Sequence, residues 1–460
     1  MRKKSLLEKA WMIALSCISL PSVTIFEPAM AWEPPSEVSQ QEIMKISKDL
    51  LAKPDIKIKK SEDIFRIRVL EMDWDIGVMI YEPEDQSKIP AGPDGKRVGI
   101  FLLHGGGGDY RVMEPFALML AGKFGYKVAS MTYPGRLYLL DPSRNWPGDT
   151  INPDGSVRIP IWKKDEVITK EQYEVVEDRS KRERYGTLIT AKAKEGTAFF
   201  YRMAAWPVAF EEGMKDICRR YLPVGEFSIY VTGHSTGGPY AFYLTQRVSN
   251  VAGVVGMESD PFGYINPRMV GQVWDTWDRV RIRTWRDIAR YAGPEALGKE
   301  GPDALNHLPR LMEDVFEVWK RGTKEPLFKC EDIIQFNGEK PLRESAMVTA
   351  KRLNLGPQET EALVKRYLGY VHELSEPGVK PVPPLYLGIA KVSRDHPIET
   401  YHKTVLPMIA AMKPAPKARV IQFQAGVHSY YLPEKDLPLG IAPAVAGAWN
   451  DAIMAGYFSK

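Results

Sequence analysis

The chain has 460 residues, of which 44% are hydrophobic and 26% charged, a composition that argues against disorder and allows a large buried core. Its 62 basic and 58 acidic residues leave a formal net charge of +4, so no long-range field points to nucleic acid or to an anionic membrane surface. The length fits one large α/β domain with insertions, or two domains.

Residues 1–31 have the pattern of a cleavable secretory signal peptide. Basic residues precede an apolar run over 10–23, and Ala29-Met30-Ala31 offers a cleavage site. The run is interrupted by Ser16, Ser19 and Pro21 and is shorter than the ~20 residues that a transmembrane helix needs. We therefore expect a secreted or periplasmic protein without a stable membrane anchor.

Alternating apolar residues predict an antiparallel pair of strands at 65–70 and 76–81. Two nearly continuous apolar runs follow at 98–103 and 126–131, which is typical of parallel strands covered by helices on both faces. The spacing of apolar residues over 113–124 predicts a helix between those two strands. A βαβ unit therefore begins a mostly parallel sheet.

The next part of the chain opens with a segment rich in Pro, Asp, Lys and Arg at about 136–195, which predicts a surface insertion. A long helix-like run follows over 197–221. The third and fourth parallel strands are predicted at 227–232 and 251–257, with a helix at 239–248 between them.

A charged, helix-rich stretch at about 262–381 is interpreted as a helical cap. It contains Trp274, Trp277, Trp285 and Trp319. The alternative is that these tryptophans only form the core of a small helical subdomain. The sheet is expected to resume with strands at 385–390 and 419–423, separated by a helix at about 401–412.

The pentapeptide Gly233-His234-Ser235-Thr236-Gly237 stands between the strand at 227–232 and a predicted helix. A G-x-S-x-G in that setting is a nucleophile elbow, a strained turn that lifts one serine hydroxyl clear of the backbone. Glycines are needed on both sides of Ser235 because side chains there would collide where the strand and the helix nearly touch. Ser235 is therefore the predicted nucleophile.

A serine hydroxyl needs a base and an orienting acid before it attacks at neutral pH. His428 is the predicted base, because it follows the last strand on a loop from which an imidazole can reach the elbow. Two strand-end carboxylates remain alternatives for the acid: Glu258 directly follows the strand at 251–257, and Asp395 follows the strand at 385–390 by a short loop. Either one keeps the order serine, acid, histidine, and the other would be a turn or capping residue.

The oxyanion that forms on attack needs hydrogen-bond donors. His104-Gly105-Gly106-Gly107-Gly108 directly follows the strand at 98–103, and its glycines can turn backbone N–H groups toward an incoming oxygen. We predict one donor at Gly106 or Gly107 and the other at the N–H of Thr236, where the helix dipole favours negative charge. A phosphate cradle is disfavoured, because no G-K-[ST] follows the glycines.

The cysteines give no sign of a metal site. Removal of the signal peptide leaves Cys218 and Cys330, which form one disulfide in an oxidising compartment or stay as two buried thiols. Their spacing excludes a zinc knuckle. We therefore expect neither a metal nor an organic cofactor.

The glycine run, the elbow, a strand-end acid and His428, in that order, resemble the α/β-hydrolase-fold enzymes of the esterase and lipase type. The resemblance implies an α/β fold with an eight-stranded, mostly parallel sheet flanked by helices, and a helical cap inserted after the fourth parallel strand. The chain then divides into a signal peptide at 1–31, a first core part at 32–261, the cap at 262–381 and a last core part at 382–460.

Residues and resemblance together predict a secreted serine hydrolase that cleaves a carboxylic ester through an acyl-enzyme on Ser235, with His428 as general base. The expected partner is a small-molecule ester rather than a nucleic acid. Two alternatives stay open: an amidase or peptidase of the same fold, and a binding protein that keeps the fold without turnover.

Overall fold

Strands form the centre of the fold. The structure is a computed structural model, and it describes residues 36–105, 109–135, 137, 161–178, 188–194, 197–235, 237–245, 248–259, 340–375, 382–393, 398, 401, 406, 409 and 415–459. The strands of these residues are β1 Ser36–Val38, β2 Ile58–Val69, β3 Met72–Pro83, β4 Arg97–Leu103, β5 Lys127–Met131, β6 Tyr173–Asp178, β7 Leu188–Ala193, β8 Phe227–Gly233, β9 Val251–Met257, β10 Leu385–Val392, β11 Ala418–Val427 and β12 Pro438–Ile441. The α-helices are α1 Gln40–Ala52, α2 Glu114–Phe124, α3 Ala198–Tyr221, α4 Gly237–Thr245, α5 Lys340–Arg352, α6 Pro357–Ser375 and α7 Ala442–Met454.

Nine of the strands in these ranges form one sheet in the order β1-β11-β10-β9-β8-β4-β5-β3-β2. β3 runs antiparallel to its neighbours β2 and β5, and every other neighbouring pair in this sheet is parallel. β6 and β7 form a separate antiparallel pair. The predicted α/β architecture with a mostly parallel sheet is confirmed.

The sheet has nine strands rather than the expected eight because β1 pairs in parallel with β11 at one edge. Three residues are too few to show a hydrophobic period, so no sequence pattern predicts this strand. Directly after it, Ser39 and Glu42 form a capping box, in which the backbone N–H of each residue donates to the side chain of the other. The box fixes the start of α1.

Helices cover both faces of the sheet. Because successive side chains of a strand point to opposite sides, each central strand contributes to the core on both faces. All seven residues of β8 are buried. On one face α1, α2 and α7 contribute to the core, where the rings of Phe116 and Trp449 meet edge to face with centroids 5.1 Å apart. On the other face, Phe210 of α3 and Tyr240 of α4 meet in the same way at 4.6 Å.

β2 and β3 confirm the predicted antiparallel pair, but each strand is 12 residues long. Exposed charged residues such as Lys59 and Lys60 hide the alternation at the outer end of β2. A two-residue turn joins the strands, with Leu70 at φ 52° and Glu71 at φ 57°. Positive φ at both positions is what a type I′ hairpin turn requires.

The other elements that the structure describes lie close to their predicted places. α2, α3, β4, β5, β8, β9, β10 and β11 all occupy segments predicted from apolar runs or helical spacing. α4 begins at Gly237, two residues earlier than predicted. The predicted helix at 401–412 lies mostly outside the described residues.

Part of the predicted surface insertion is tied into the core. Trp162 is fully buried, and its ring meets that of Trp74 in β3 with centroids 5.2 Å apart. The N–H of Asp75 donates to the carbonyl of Trp162 at 2.7 Å, and the N–H of Lys164 donates to the Asp75 carboxylate at 2.9 Å. Residues 161–164 therefore add to the packing around β3.

The described part of the predicted cap consists of α5 and α6. The hydroxyl of Tyr367 in α6 donates to the carbonyl of Leu70 at 2.6 Å, and Arg366 forms an ion pair with Glu71. A hydrogen bond and an ion pair thus connect α6 to the turn between β2 and β3. The four cap tryptophans lie outside the described residues, and the division of the chain into four segments stays a prediction.

Candidate active site

Ser235 lies at a sharp turn between β8 and α4. Its φ of 56° is in the left-handed region, which non-glycine residues rarely adopt and which costs about 1–3 kcal/mol. Its N–H donates to the carbonyl of Glu258 at 3.1 Å, and its carbonyl accepts the N–H of Gly238 at 3.0 Å. These backbone bonds hold the serine in the strained conformation that the elbow motif predicts.

The two glycines of the elbow have no room for a side chain. A Cβ at Gly233 would lie 2.0 Å from the carbonyl oxygen of Gly237, and one at Gly237 would lie 2.8 Å from the carbonyl oxygen of His104. In both cases the obstacle is backbone, which cannot rotate aside. The predicted close approach of strand and helix is seen at Gly233, whereas Gly237 lies against the backbone at the end of β4.

We expect Gly233→Ala to destabilise the protein by about 3 kcal/mol, because the added methyl group forces β8 and α4 apart. Urea denaturation followed by circular dichroism measures this loss. Gly225→Ala is the matched control: a Cβ at Gly225 meets no atom within 4 Å, so we expect little change or a slight gain in stability. Equal stabilities of the two variants would contradict the steric explanation.

Glu258 presents its carboxylate at the end of β9, fully buried. One oxygen accepts the N–H of Ala390 at 2.6 Å. The other accepts the hydroxyl of Ser393 at 2.6 Å and lies 3.0 Å from Nδ1 of His428. Buried charges need such partners, and these three donors come from β10, the residue after it, and the loop after β11.

His428 follows β11, and its side chain is 21% exposed. An ionised carboxylate only accepts hydrogen bonds, so the contact with Glu258 places the proton of the neutral imidazole on Nδ1. Nε2 then carries the lone pair, which is the state that a general base requires. The structure brings Ser235, Glu258 and His428 together from three separate strand ends.

The start of the glycine run passes close to the elbow. A Cβ at Gly105 would lie 3.4 Å from Cβ of Ser235 and 3.0 Å from Nδ1 of His234. His104 is buried, its carbonyl accepts the hydroxyl of Tyr133, and its ring lies against that of Tyr133. The predicted oxyanion donors at Gly106, Gly107 and Thr236 lie outside the described residues, as does the alternative acid Asp395.

Two residues at the site were missed from the sequence. Ser393 donates to the Glu258 carboxylate, and His234 makes a side-chain contact with the backbone of His428. His234 occupies a variable position of the elbow motif, and no spacing rule connects Ser393 with Glu258. Only the arrangement of strand ends in space reveals either contact.

Other reactive side chains are held neutral. Burial raises the pKa of the Tyr430 phenol well above its usual value, and the neighbouring Tyr431 and Glu258 add to this shift. Burial likewise raises the pKa of the Cys218 thiol, which is unpaired in the structure. Neither group competes as a base or nucleophile near neutral pH. Cys330 lies outside the described residues.

Within the described ranges, no group of three or more His, Cys, Asp or Glu side chains is placed to hold a metal ion. None of the helices in those ranges combines the length and the apolar character that crossing a bilayer requires.

No protein-family model and no curated protein matches the chain. Among solved structures, it is similar to a proline iminopeptidase-related protein from Thermus thermophilus, with 13% identity and a TM-score of 0.32 over 86% of this chain and 98% of that one. It is also similar to an acylaminoacyl peptidase from Pyrococcus horikoshii, with 10% identity and a TM-score of 0.37 over 88% of this chain and 42% of that one. A putative lipase from Acinetobacter baumannii gives 12% identity and a TM-score of 0.35 over 92% and 98%.

Because these TM-scores are low, the fold is assigned from the chain's own topology. A mostly parallel sheet carries helices on both faces, and a serine sits at a left-handed turn between a central strand and a helix. Glu258 and His428 follow it in the chain order serine, acid, histidine. The chain therefore has the α/β-hydrolase fold.

Proposed function

We propose that the chain is a serine hydrolase that cleaves carboxylic esters through an acyl-enzyme on Ser235. One observation carries the proposal: Glu258 accepts the N–H of Ser235 on its backbone carbonyl while its carboxylate contacts Nδ1 of His428. A single residue thus links the nucleophile to the imidazole. Buried polar groups that converge at strand ends are typical of catalytic sites.

In the proposed reaction, Oγ of Ser235 attacks the ester carbonyl carbon as its proton passes to Nε2 of His428. The bond to the alcohol then breaks, and His428 returns the proton to the departing oxygen. Water repeats the attack on the acyl-enzyme, again losing its proton to His428, and Ser235 regains that proton as the carboxylic acid leaves.

Glu258 is the proposed orienting acid, because its carboxylate contacts the imidazole. Its negative charge stabilises the imidazolium that forms during attack, and its position fixes the tautomer of the neutral ring. The proposed oxyanion donors are backbone N–H groups at Gly106 or Gly107 and at Thr236. The approach of Gly105 to Ser235 supports a place for that loop beside the nucleophile.

An ester is the least demanding substrate for these groups, since an alcohol leaves a tetrahedral intermediate more readily than an amine does. The substrate is proposed to be a small molecule, and the reaction needs no metal or organic cofactor. Export to the periplasm or the cell exterior is part of the proposal and rests on the signal-peptide pattern of residues 1–31 alone.

A fluorophosphonate probe tests the proposal, because a serine that a nearby base activates displaces its fluoride and becomes phosphonylated. We expect strong labelling of the wild-type protein and none of Ser235→Ala. Ser87→Ala, which changes an exposed serine outside the site, should label like the wild type.

If the wild type labels no more strongly than Ser235→Ala, the hydrolase proposal is wrong. The remaining interpretation is then a binding protein that keeps the fold without turnover. Rates on a short-chain aryl ester and on the matching anilide separate the two hydrolytic reactions. Faster cleavage of the anilide would replace the esterase proposal with an amidase.

A further inference from the structure

His234, the residue before Ser235, reaches from the elbow to the loop that carries His428. It is 5% exposed, and its Nε2 lies 2.9 Å from the backbone carbonyl oxygen of His428. Its ring lies beside the ring of His428 with centroids 4.8 Å apart, and it also contacts Tyr430 and Tyr431 at 5.7 and 5.6 Å. The residue next to Ser235 in the chain therefore contacts the backbone of His428 through its side chain.

The partners fix opposite tautomers for the two neighbouring imidazoles. A carbonyl oxygen only accepts, so Nε2 of His234 is the protonated nitrogen that donates to His428. A carboxylate also only accepts, so His428 carries its proton on Nδ1. Nε2 of His234 is occupied by this bond and therefore does not accept a proton.

The bond from His234 restrains a part of His428 that Glu258 does not hold. The contact with Glu258 holds the ring at Nδ1. Two residues before His428, Gly426 has a φ of 88°, which residues with a side chain rarely adopt. A bond to the carbonyl of His428 fixes the backbone from which the ring extends.

We infer that His234 is a positioning residue, which holds the backbone of His428 at the distance from Ser235 that proton transfer needs. The inference rests on the proposed function of Ser235 and His428. Displacements of about 1 Å in a reacting group lower rates by as much as 100-fold. Because the donor belongs to the residue next to Ser235, its bond to His428 is proposed to keep the distance between nucleophile and base constant.

Two substitutions separate the hydrogen bond from simple packing. His234→Gln keeps an N–H donor at nearly the same reach, whereas His234→Leu fills similar space without a donor. We expect His234→Leu to lower kcat on a short-chain aryl ester by ~10- to 100-fold with little change in KM. His234→Gln should keep at least about ten times the kcat of His234→Leu.

Hydrogen exchange of the full-length protein tests the restraint without using activity. The amides of residues 427–431 should exchange about 10-fold faster in His234→Leu than in the wild type, and His234→Gln should restore their protection. Urea denaturation of both variants shows whether global stability differs between them.

Equal kcat values for the two variants would overturn the inference, and so would unchanged exchange in His234→Leu. Faster exchange without any loss of kcat would also overturn it, because the bond would then be only structural. Failure of the proposed function looks different: the wild type itself would then show no turnover that depends on Ser235.

Discussion

Alanine in place of His428 is expected to lower kcat on an aryl ester by about 10⁵-fold or more, with little change in KM. The hydroxyl of Ser235 would lose the group that is proposed to take its proton. Steady-state kinetics over a range of ester concentrations measure the effect.

Val427→Ala is the matched control for His428→Ala. Val427 precedes the histidine as the last residue of β11 and is 36% exposed, so its truncation changes the neighbouring position without removing a reactive group. We expect its kcat to stay within about threefold of the wild type, since surface truncations rarely cost more than ~0.5 kcal/mol. A kcat for His428→Ala within tenfold of the wild type would mean that another residue is the base.

Glu258→Gln is expected to lower kcat by about 10⁴-fold. The new amide can place its oxygen toward the N–H of Ala390, but its NH₂ group then faces Nδ1 of His428 and the hydroxyl of Ser393. A donor beside Nδ1 favours the imidazole with its proton on Nε2, which cannot accept the proton of Ser235. The wrong tautomer, rather than unfolding, is the expected cause.

Glu434→Gln supplies the control, because it makes the same chemical change in a partly exposed turn on the loop after His428. Asp395→Asn completes the comparison with the acid that the sequence left open. Should Asp395→Asn lose four orders of magnitude while Glu258→Gln keeps near-normal turnover, the acid would be Asp395 and the contact seen at Glu258 would be structural.

Local sequence was enough to predict most of the sheet and the elbow. β4, β8 and β9 are continuous apolar runs because both faces of the sheet are covered, and such runs are visible without knowledge of the partners. The elbow is also local, since strand, turn and helix occupy neighbouring residues. The short β1 was missed because it depends on pairing with β11, more than 380 residues away.

The contacts that complete the site are long-range, and no sequence period reports them. Glu258 and His428 are 170 residues apart, and His234 and His428 are 194 apart. Glu258 and Asp395 both follow strands, and in the chain alone they are equivalent. The structure shows a contact between the carboxylate of Glu258 and Nδ1 of His428, whereas Asp395 lies outside the described residues.

Ser235 and Glu258 have positive φ angles of 56° and 53°. At these two positions, a substitution that stabilises the fold is expected to lower turnover. Glycine would relieve the backbone at either position, since it adopts such angles without steric cost. It would also delete the hydroxyl or the carboxylate that the proposed reaction uses. Directed evolution for heat resistance alone would therefore enrich inactive proteins with glycine at 235 or 258, unless every round also selects for ester cleavage.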